Sequence, residues 1–235
     1  MTASMLVLFD IDGTMLLTHG AGLRAMAKAM ADVHGPGAYD FEGVSTSGRL
    51  DTHIWRDLSE KHGKATDERI HERFRGRYHH HLTEGFAGDS VSEALPGARE
   101  LVLRLRREPG VTLGLLTGNY PETGRLKVRA AGFDPDHFVL GAFASDGIDR
   151  RSLPPVAMRR FEEHHGRVVP PEQVVIIGDT PLDVDCALIN GCRCLAVTTG
   201  KHPAEELVGA HRVVADLRAT DDLAAWIVAH RRAPA

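Results

Sequence analysis

Two aspartates two positions apart stand at the end of an apolar run near the start of the chain. Residues 5–9, Met-Leu-Val-Leu-Phe, read as a buried strand, and Asp10-Ile11-Asp12-Gly13-Thr14 follows at once. In an extended exit segment both carboxylates project to the same side, and Gly13 lets the chain turn sharply behind them. Carboxylates at the exit of a buried strand are costly unless something binds them. The pair therefore wants a cation, and it leaves a carboxylate to attack an electrophile or to move a proton. A second pair, Asp179 and Asp183, follows the apolar run 174–177 through Gly178. A set of oxygen ligands suits Mg²⁺. Alone, Asp179 could equally cap the next helix, but four aspartates at strand ends favour a metal.

Two other clusters carry complementary chemistry. Thr117-Gly118-Asn119 ends the apolar run 111–116. Its hydroxyl, unhindered backbone N–H and side-chain amide make a small anion cradle, or else a plain strand-to-helix turn. Arg150-Arg151 precedes a helix start at Pro154-Pro155. A guanidinium directed into a cleft would bind phosphate oxygens or offset the carboxylates; on an open loop it would only be solvated.

These groups need elements to bring them together. Helical spacing predicts helices over 20–33, 51–61 and 67–82, with no convincing strand between Leu17 and Leu95, so this stretch reads as a small helical module. From Pro96-Gly97 onward the pattern alternates. Helix 98–107, strand 111–116, helix 123–131 closed by Gly132 and a short strand over 138–140 come first. A helix from Pro154 or Pro155 to 165, strand 174–177, helix 182–189 and strand 194–197 follow. Residues 212–214 are a candidate sixth strand before a last helix over 221–230. Alternating strands and helices, with near-continuous apolar strands, argue for an α/β fold with a parallel sheet covered on both faces. Such sheets bind ligands outside the carboxyl ends of their strands. Asp10 and Asp12, Thr117 to Asn119, and Asp179 with Asp183 would all meet there.

Composition narrows the function classes. The 235 residues suffice for a large domain with a smaller module. A net charge of −4 gives nucleic-acid or anionic-membrane binding no general support. No apolar run approaches a membrane span, and the chain enters a strand without a basic, cleavable leader. Cys186, Cys192 and Cys194 crowd one segment without a regular fourth ligand, so buried small residues are a better reading than zinc. A reducing, cytoplasmic setting is expected. His79, His80 and His81 are consecutive, point in different directions on a helix, and read as a solvated face.

With these residues in place, the sequence resembles the haloacid dehalogenase-like phosphohydrolase superfamily over essentially its whole length. Asp-x-Asp-Gly-Thr after an apolar strand matches Asp10 to Thr14, a strand-ending Thr matches Thr117, and Gly-Asp-x-x-x-Asp matches Gly178, Asp179 and Asp183. The chain departs from the family pattern where a lysine is expected ahead of the last motif: Arg150 and Arg151 stand there, and no lysine lies between Lys127 and Lys201. Arg150 is taken as the replacement, with a purely electrostatic role because arginine does not deprotonate.

The resemblance implies a Rossmann-like doubly wound core over 1–15 and 93–235 with a helical cap over 16–92. It implies that Asp10 attacks phosphorus and forms an aspartyl-phosphate, and that Asp12 is the acid and then the base. Asp10, the backbone carbonyl of Asp12, and Asp179 would hold Mg²⁺, with Asp183 orienting its waters. Thr117 and the Gly118 N–H, with Asn119 beside them, would hold phosphoryl oxygens, and Arg150, with Arg151 close behind, would neutralise them. Within the cap, residues 43–51 would read the substrate through Ser45, Ser47, Gly48 and Arg49.

The layout most resembles phosphoglycolate phosphatase-like members, which implies a small phosphomonoester as the partner molecule and a phosphatase as the activity. A homodimer is compatible with the sequence but not indicated by it. A sugar phosphomutase and a phospho-ligand binder without turnover are the alternatives. A metal-free dehalogenase fits poorly with Asp12, Asp179 and Asp183. A phosphonate hydrolase lacks an evident desolvated cap lysine among Lys28, Lys61 and Lys64.

Overall fold

A computed structural model of the chain describes residues 4–88 and 91–229. The first strand, β1 (Met5–Phe9), is buried along its whole length. Five apolar residues with no polar member cannot face water on either side, so the strand needs a layer on each face. It also needs two neighbours. β4 (Val111–Leu116) pairs with it in parallel on one edge, Val7 opposite Leu113, and β6 (Val174–Gly178) on the other, Val7 opposite Val175. β5 (Leu140–Ala142), β7 (Arg193–Val197) and β8 (Arg212–Val214) complete a six-stranded parallel sheet in the order β5-β4-β1-β6-β7-β8.

The two-residue period sorts the core into two layers. Met5, Val7 and Phe9 pack with Leu101, Leu105, Val128, Leu223 and Ile227, which lie on α4 (Ala98–Arg106), α5 (Pro121–Ala130) and α8 (Thr220–Val228). Leu6 and Leu8 belong to the opposite layer with Leu153, Ala157, Phe161, Val184 and Ala187 of α6 (Leu153–His165) and α7 (Pro181–Ile189). Helices therefore cover both faces, as the doubly wound expectation required.

The helical module enters and leaves through a two-stranded antiparallel ribbon, β2 (Leu16–Leu17) with β3 (Glu93–Ala94). Between them lie α1 (Ala21–His34), α2 (Asp51–Lys61) and α3 (Glu68–Ala87). An alanine- and methionine-rich stripe on α1 lets α3 approach closely, and Trp55, Phe74 and Tyr78 fill the space between the three helices.

Most element positions follow the sequence pattern. The strand expected at 138–140 instead spans Leu140–Ala142, because Pro135–His137 forms a 3₁₀ turn and Phe138 drops from it onto Phe9, with ring centroids 6.1 Å apart. α3 runs five residues beyond the expected 82 and stops at Gly88. The last helix ends at Val228, and residue 230 lies outside the described residues. Among the described residues no helix is long and apolar enough to cross a membrane. The three cysteines are buried free thiols, and burial pushes each of them up, Cys192 to about 12.

Candidate active site

The carboxyl ends of β1, β4 and β6 open into a cavity of about 460 Å³ between the sheet and the helical module. Asp10 continues β1. Its N–H donates to Ile177 O of β6 at 2.9 Å, and only 4% of the residue is exposed. Gly13, at φ +84°, then folds the chain back. A Cβ at Gly13 or at Gly200 would collide with the Asp179 carboxylate, so the two glycines form a cradle for that side chain. Thr14 Oγ1 donates to Asp179 Oδ1 at 2.9 Å.

Asp183 is held at both oxygens. Its Oδ2 accepts from Thr180 N at 3.1 Å and Thr180 Oγ1 at 2.7 Å, in a reciprocal cap at the start of α7, and its Oδ1 pairs with Arg150. Arg150 sits in a 3₁₀ turn fixed by a second reciprocal cap, Asp149 with Ser152. From there its guanidinium reaches Asp10 Oδ1 at 3.0 Å and donates to Gly48 O at 3.1 Å. Its Nε is buried without a hydrogen-bond partner. Burial works against its charge, but Asp10 and Asp183 more than offset that and hold it protonated.

Carboxylate oxygens of Asp10, Asp179 and Asp183 lie within 4.8 Å of one another. Burial drives the Asp10 and Asp179 carboxyls above their ordinary range, and their carboxylate neighbours add to the rise. Three buried oxygen donors around a glycine cradle fit a hard divalent cation such as Mg²⁺. The Asp12 carboxylate is not in this group. It turns to the other side, where its Oδ2 accepts from Asn119 Nδ2 and from Lys127 Nζ, both at 2.8 Å. Thr117 is fully buried, and its Oγ1 accepts from Asn119 Nδ2 at 2.8 Å. Gly118 meets the module directly, accepting from Asp51 N at 2.6 Å.

The structure thus brings together Asp10, Asp12, Thr117, Gly118, Asn119, Arg150, Asp179 and Asp183. Of the other expected residues, Ser47, Gly48 and Arg49 line the cavity, whereas Arg151 and Ser45 do not. Arg151 is turned out to Asp185 at 2.5 Å and is solvent-exposed, because adjacent residues in a helical turn face different ways. Ser45 is exposed and does not line the cavity. Arg49 lines it, but its guanidinium pairs with Asp57 at 2.7 Å. Ser47 also lines the cavity, with Oγ 3.0 Å from His202 Nε2, while His202 Nδ1 is 2.6 Å from Glu206. His80 and His81 both flank Glu84, and His81 also reaches Asp32.

Lys127, Asp51 and Tyr78 are among the cavity residues to which the sequence reading gave no role. Lys127 is only 5% exposed on α5. A signal existed: it shares the helix's buried stripe with Thr123, Gly124 and Val128, where an unpaired lysine would be costly. Asp51 opens α2, accepts Tyr120 N at 3.1 Å and is pushed up to about 7 by burial, against the pull of Lys127. Tyr78 lines the same end of the cavity. Nothing in the helical periodicity separates these last two from ordinary capping and core residues.

A family model described as haloacid dehalogenase-like hydrolase matches residues 5–188, a span holding the aspartates, Thr117 and Arg150. The protein belongs to the haloacid dehalogenase-like hydrolases and is an enzyme of that family. Among characterised relatives, it is similar to the phosphoglycolate phosphatase of Aliivibrio fischeri, 26% identical over 213 residues, covering 86% of this chain and 87% of that one. The fold matches CbbY of Rhodobacter sphaeroides, solved with xylulose-1,5-bisphosphate, at TM-score 0.68 and 20% identity, covering 93% and 96% of the two chains. It also matches β-phosphoglucomutase of Clostridium difficile at TM-score 0.67 and 18% identity, covering 93% of each chain.

Proposed function

We propose that the protein is a Mg²⁺-dependent phosphatase that hydrolyses a small phosphomonoester through an aspartyl-phosphate on Asp10. The observation that carries this is the division of labour around the cavity: Asp10 is buried among Arg150, Asp179 and Asp183, while Asp12 stands apart and free of the metal group. A nucleophile must be fixed and charge-compensated, whereas an acid/base must reach the departing oxygen.

Asp10 and Asp179 are the residues that would hold the metal, with Asp183 steadying Arg150 and the turn at Thr180. When bound, Mg²⁺ neutralises charge on the phosphoryl group and orients it. Thr117 and the Gly118 N–H hold the transferring oxygens, and Arg150, with its free Nε, offsets their charge. Asp10 attacks in line as Asp12 protonates the leaving oxygen. Asp12 then takes the proton of the water that cleaves the aspartyl-phosphate. Phosphoryl transfer depends mostly on such positioning and charge stabilisation.

Residues 16–92 act as a cap on a core of 1–15 and 93–235. The loop before α2 supports this, since it is seated on Gly118, Arg150 and His202. The cavity volume suits a small metabolite. The Aliivibrio relative's name and the sugar bisphosphate bound by the Rhodobacter protein support a phosphorylated hydroxy acid or sugar as substrate. A cytoplasmic setting is the companion reading, supported by three free buried thiols.

The test is release of inorganic phosphate from p-nitrophenyl phosphate and from a metabolite panel including phosphoglycolate, with Mg²⁺ or EDTA. Turnover should require the metal and vanish in Asp10→Asn. Sugar phosphate isomerisation without phosphate release would establish the mutase alternative, and binding without either reaction would leave a phospho-ligand binder.

A further inference from the structure

The cavity contains two buried cations, and the phosphatase reading uses only Arg150. The second, Lys127, reaches the acid/base rather than the nucleophile. Its side chain is 6% exposed, and the Asp12 side chain it contacts is 40% exposed. Nζ lies 2.8 Å from Asp12 Oδ2 and 2.6 Å from Asn119 Oδ1. Asn119 closes the triangle, because its Nδ2 donates to the same Asp12 oxygen at 2.8 Å and to Thr117 Oγ1 at 2.8 Å. The amide orientation is settled by this network. Its oxygen must face the ammonium, so its two N–H bonds go to the carboxylate and the hydroxyl.

Two donors therefore converge on Oδ2, and no described residue donates to Asp12 Oδ1. A half-exposed aspartate on a turn would otherwise sample several rotamers. Room for the ammonium comes from Gly22 on α1, where an added Cβ would lie 3.4 Å from Nζ and 3.3 Å from the Tyr78 hydroxyl.

We propose that Lys127 is a positioning residue which, with Asn119, pins Asp12 through Oδ2 so that Oδ1 faces the leaving-group oxygen and carries the transferred proton. The proposal rests on the phosphatase reading. In the first step the Asp10–phosphorus bond forms and the bond from phosphorus to the ester oxygen breaks, its electron pair staying on that oxygen. The proton on Asp12 Oδ1 moves to the same oxygen, and an alcohol leaves. In the second step Oδ1 takes a proton from water as the water–phosphorus bond forms and the Asp10–phosphorus bond breaks. Lys127 takes no part in the proton transfer, and its contribution is geometric.

The readout is leaving-group dependence. p-Nitrophenolate departs without protonation, whereas an alkoxide needs the acid. In Lys127→Met, kcat/KM, which reports only the steps up to formation of the aspartyl-phosphate, should fall about 100-fold on a primary-alkyl phosphate and less than about fivefold on p-nitrophenyl phosphate. In an Asp12→Asn background the same substitution should cost nothing further. A uniform loss of kcat/KM across leaving groups, a loss confined to KM, or full additivity with Asp12→Asn would overturn the proposal. If Lys127→Met does not fold, Lys127→Gln serves, with the same leaving-group trend expected. Unfolding of both variants would make Lys127 a structural counter-ion and overturn it as well. Absence of wild-type turnover on every ester would bring down the phosphatase reading and this proposal together, whereas an active wild type with a flat Lys127 response would bring down this proposal alone.

Discussion

Arg150 and Arg151 are neighbours in sequence and opposites in environment. Arg150 is 5% exposed, joined to Asp10 and Asp183; Arg151 is out on Asp185, 55% of its side chain in solvent. An exposed ion pair contributes little, while a buried cation aimed at developing charge contributes much. Arg150→Ala should therefore lower kcat by about 100-fold or more, and Arg151→Ala should stay within about twofold of wild type, as measured by steady-state hydrolysis. The aspartates were legible because strand-end carboxylates have few other reasons to cluster, and the choice of Arg150 was legible only through resemblance. Lys127 was not found, although its place in a buried stripe was visible. A single cation among apolar neighbours names neither its partner nor its purpose until Asp12 and Asn119 are seen beside it.

At the scale of elements, the loop leading into α2 is the critical piece. Arg49 O packs so tightly on Gly118 that an added Cβ would collide with it, and the Asp51 N–H bond to Gly118 O lies next to that contact. Gly118→Ala should lift this loop away from Thr117 and Arg150. We expect kcat/KM to fall about 100-fold with a much smaller effect on thermal stability, a combination read by pairing kinetics with a melting curve. The sequence reading placed substrate recognition in this loop; Ser47, Gly48 and Arg49 line the cavity, whereas Ser45 does not. Loop composition shows which residues are polar, not which way each one turns, so Ser45 faces out and Arg49 is taken by Asp57. Helix positions were far more legible, because an apolar stripe leaves little freedom in where a helix starts and which face it buries. The displaced β5 shows the converse: three residues on a sheet edge carry too short a pattern to reveal their register.

For the molecule as a whole, the concentration of buried carboxylates sets the response to pH and metal. Asp51 is raised from 3.8 to about 7, and Asp10 and Asp179 are raised as well. Each holds a proton in the folded chain at a pH where the unfolded chain has released it. The unfolded state then binds fewer protons, so stability falls as pH rises, for Asp51 across the interval between 3.8 and about 7. With EDTA present, Tm should drop between about pH 5 and about pH 8. Mg²⁺ should restore it most at the upper end, where no proton has to be displaced, by about 2.7 kcal/mol at a concentration ~100 times Kd. Equal Tm values with and without metal at the upper pH would count against the carboxylate group as a cation site. The strand order has a different consequence, for synthesis. β1 leaves the ribosome before the rest of its sheet, and both of its neighbours lie far downstream, beginning at Val111 and Val174. At roughly 5–20 residues per second, the wait for the second partner is on the order of ten to thirty seconds. During that interval a nascent chain carries Asp10 at the end of an incompletely paired, wholly apolar strand with no pocket around it. Truncated chains should therefore be inert but sticky, and this part of the protein has the greatest need of a chaperone.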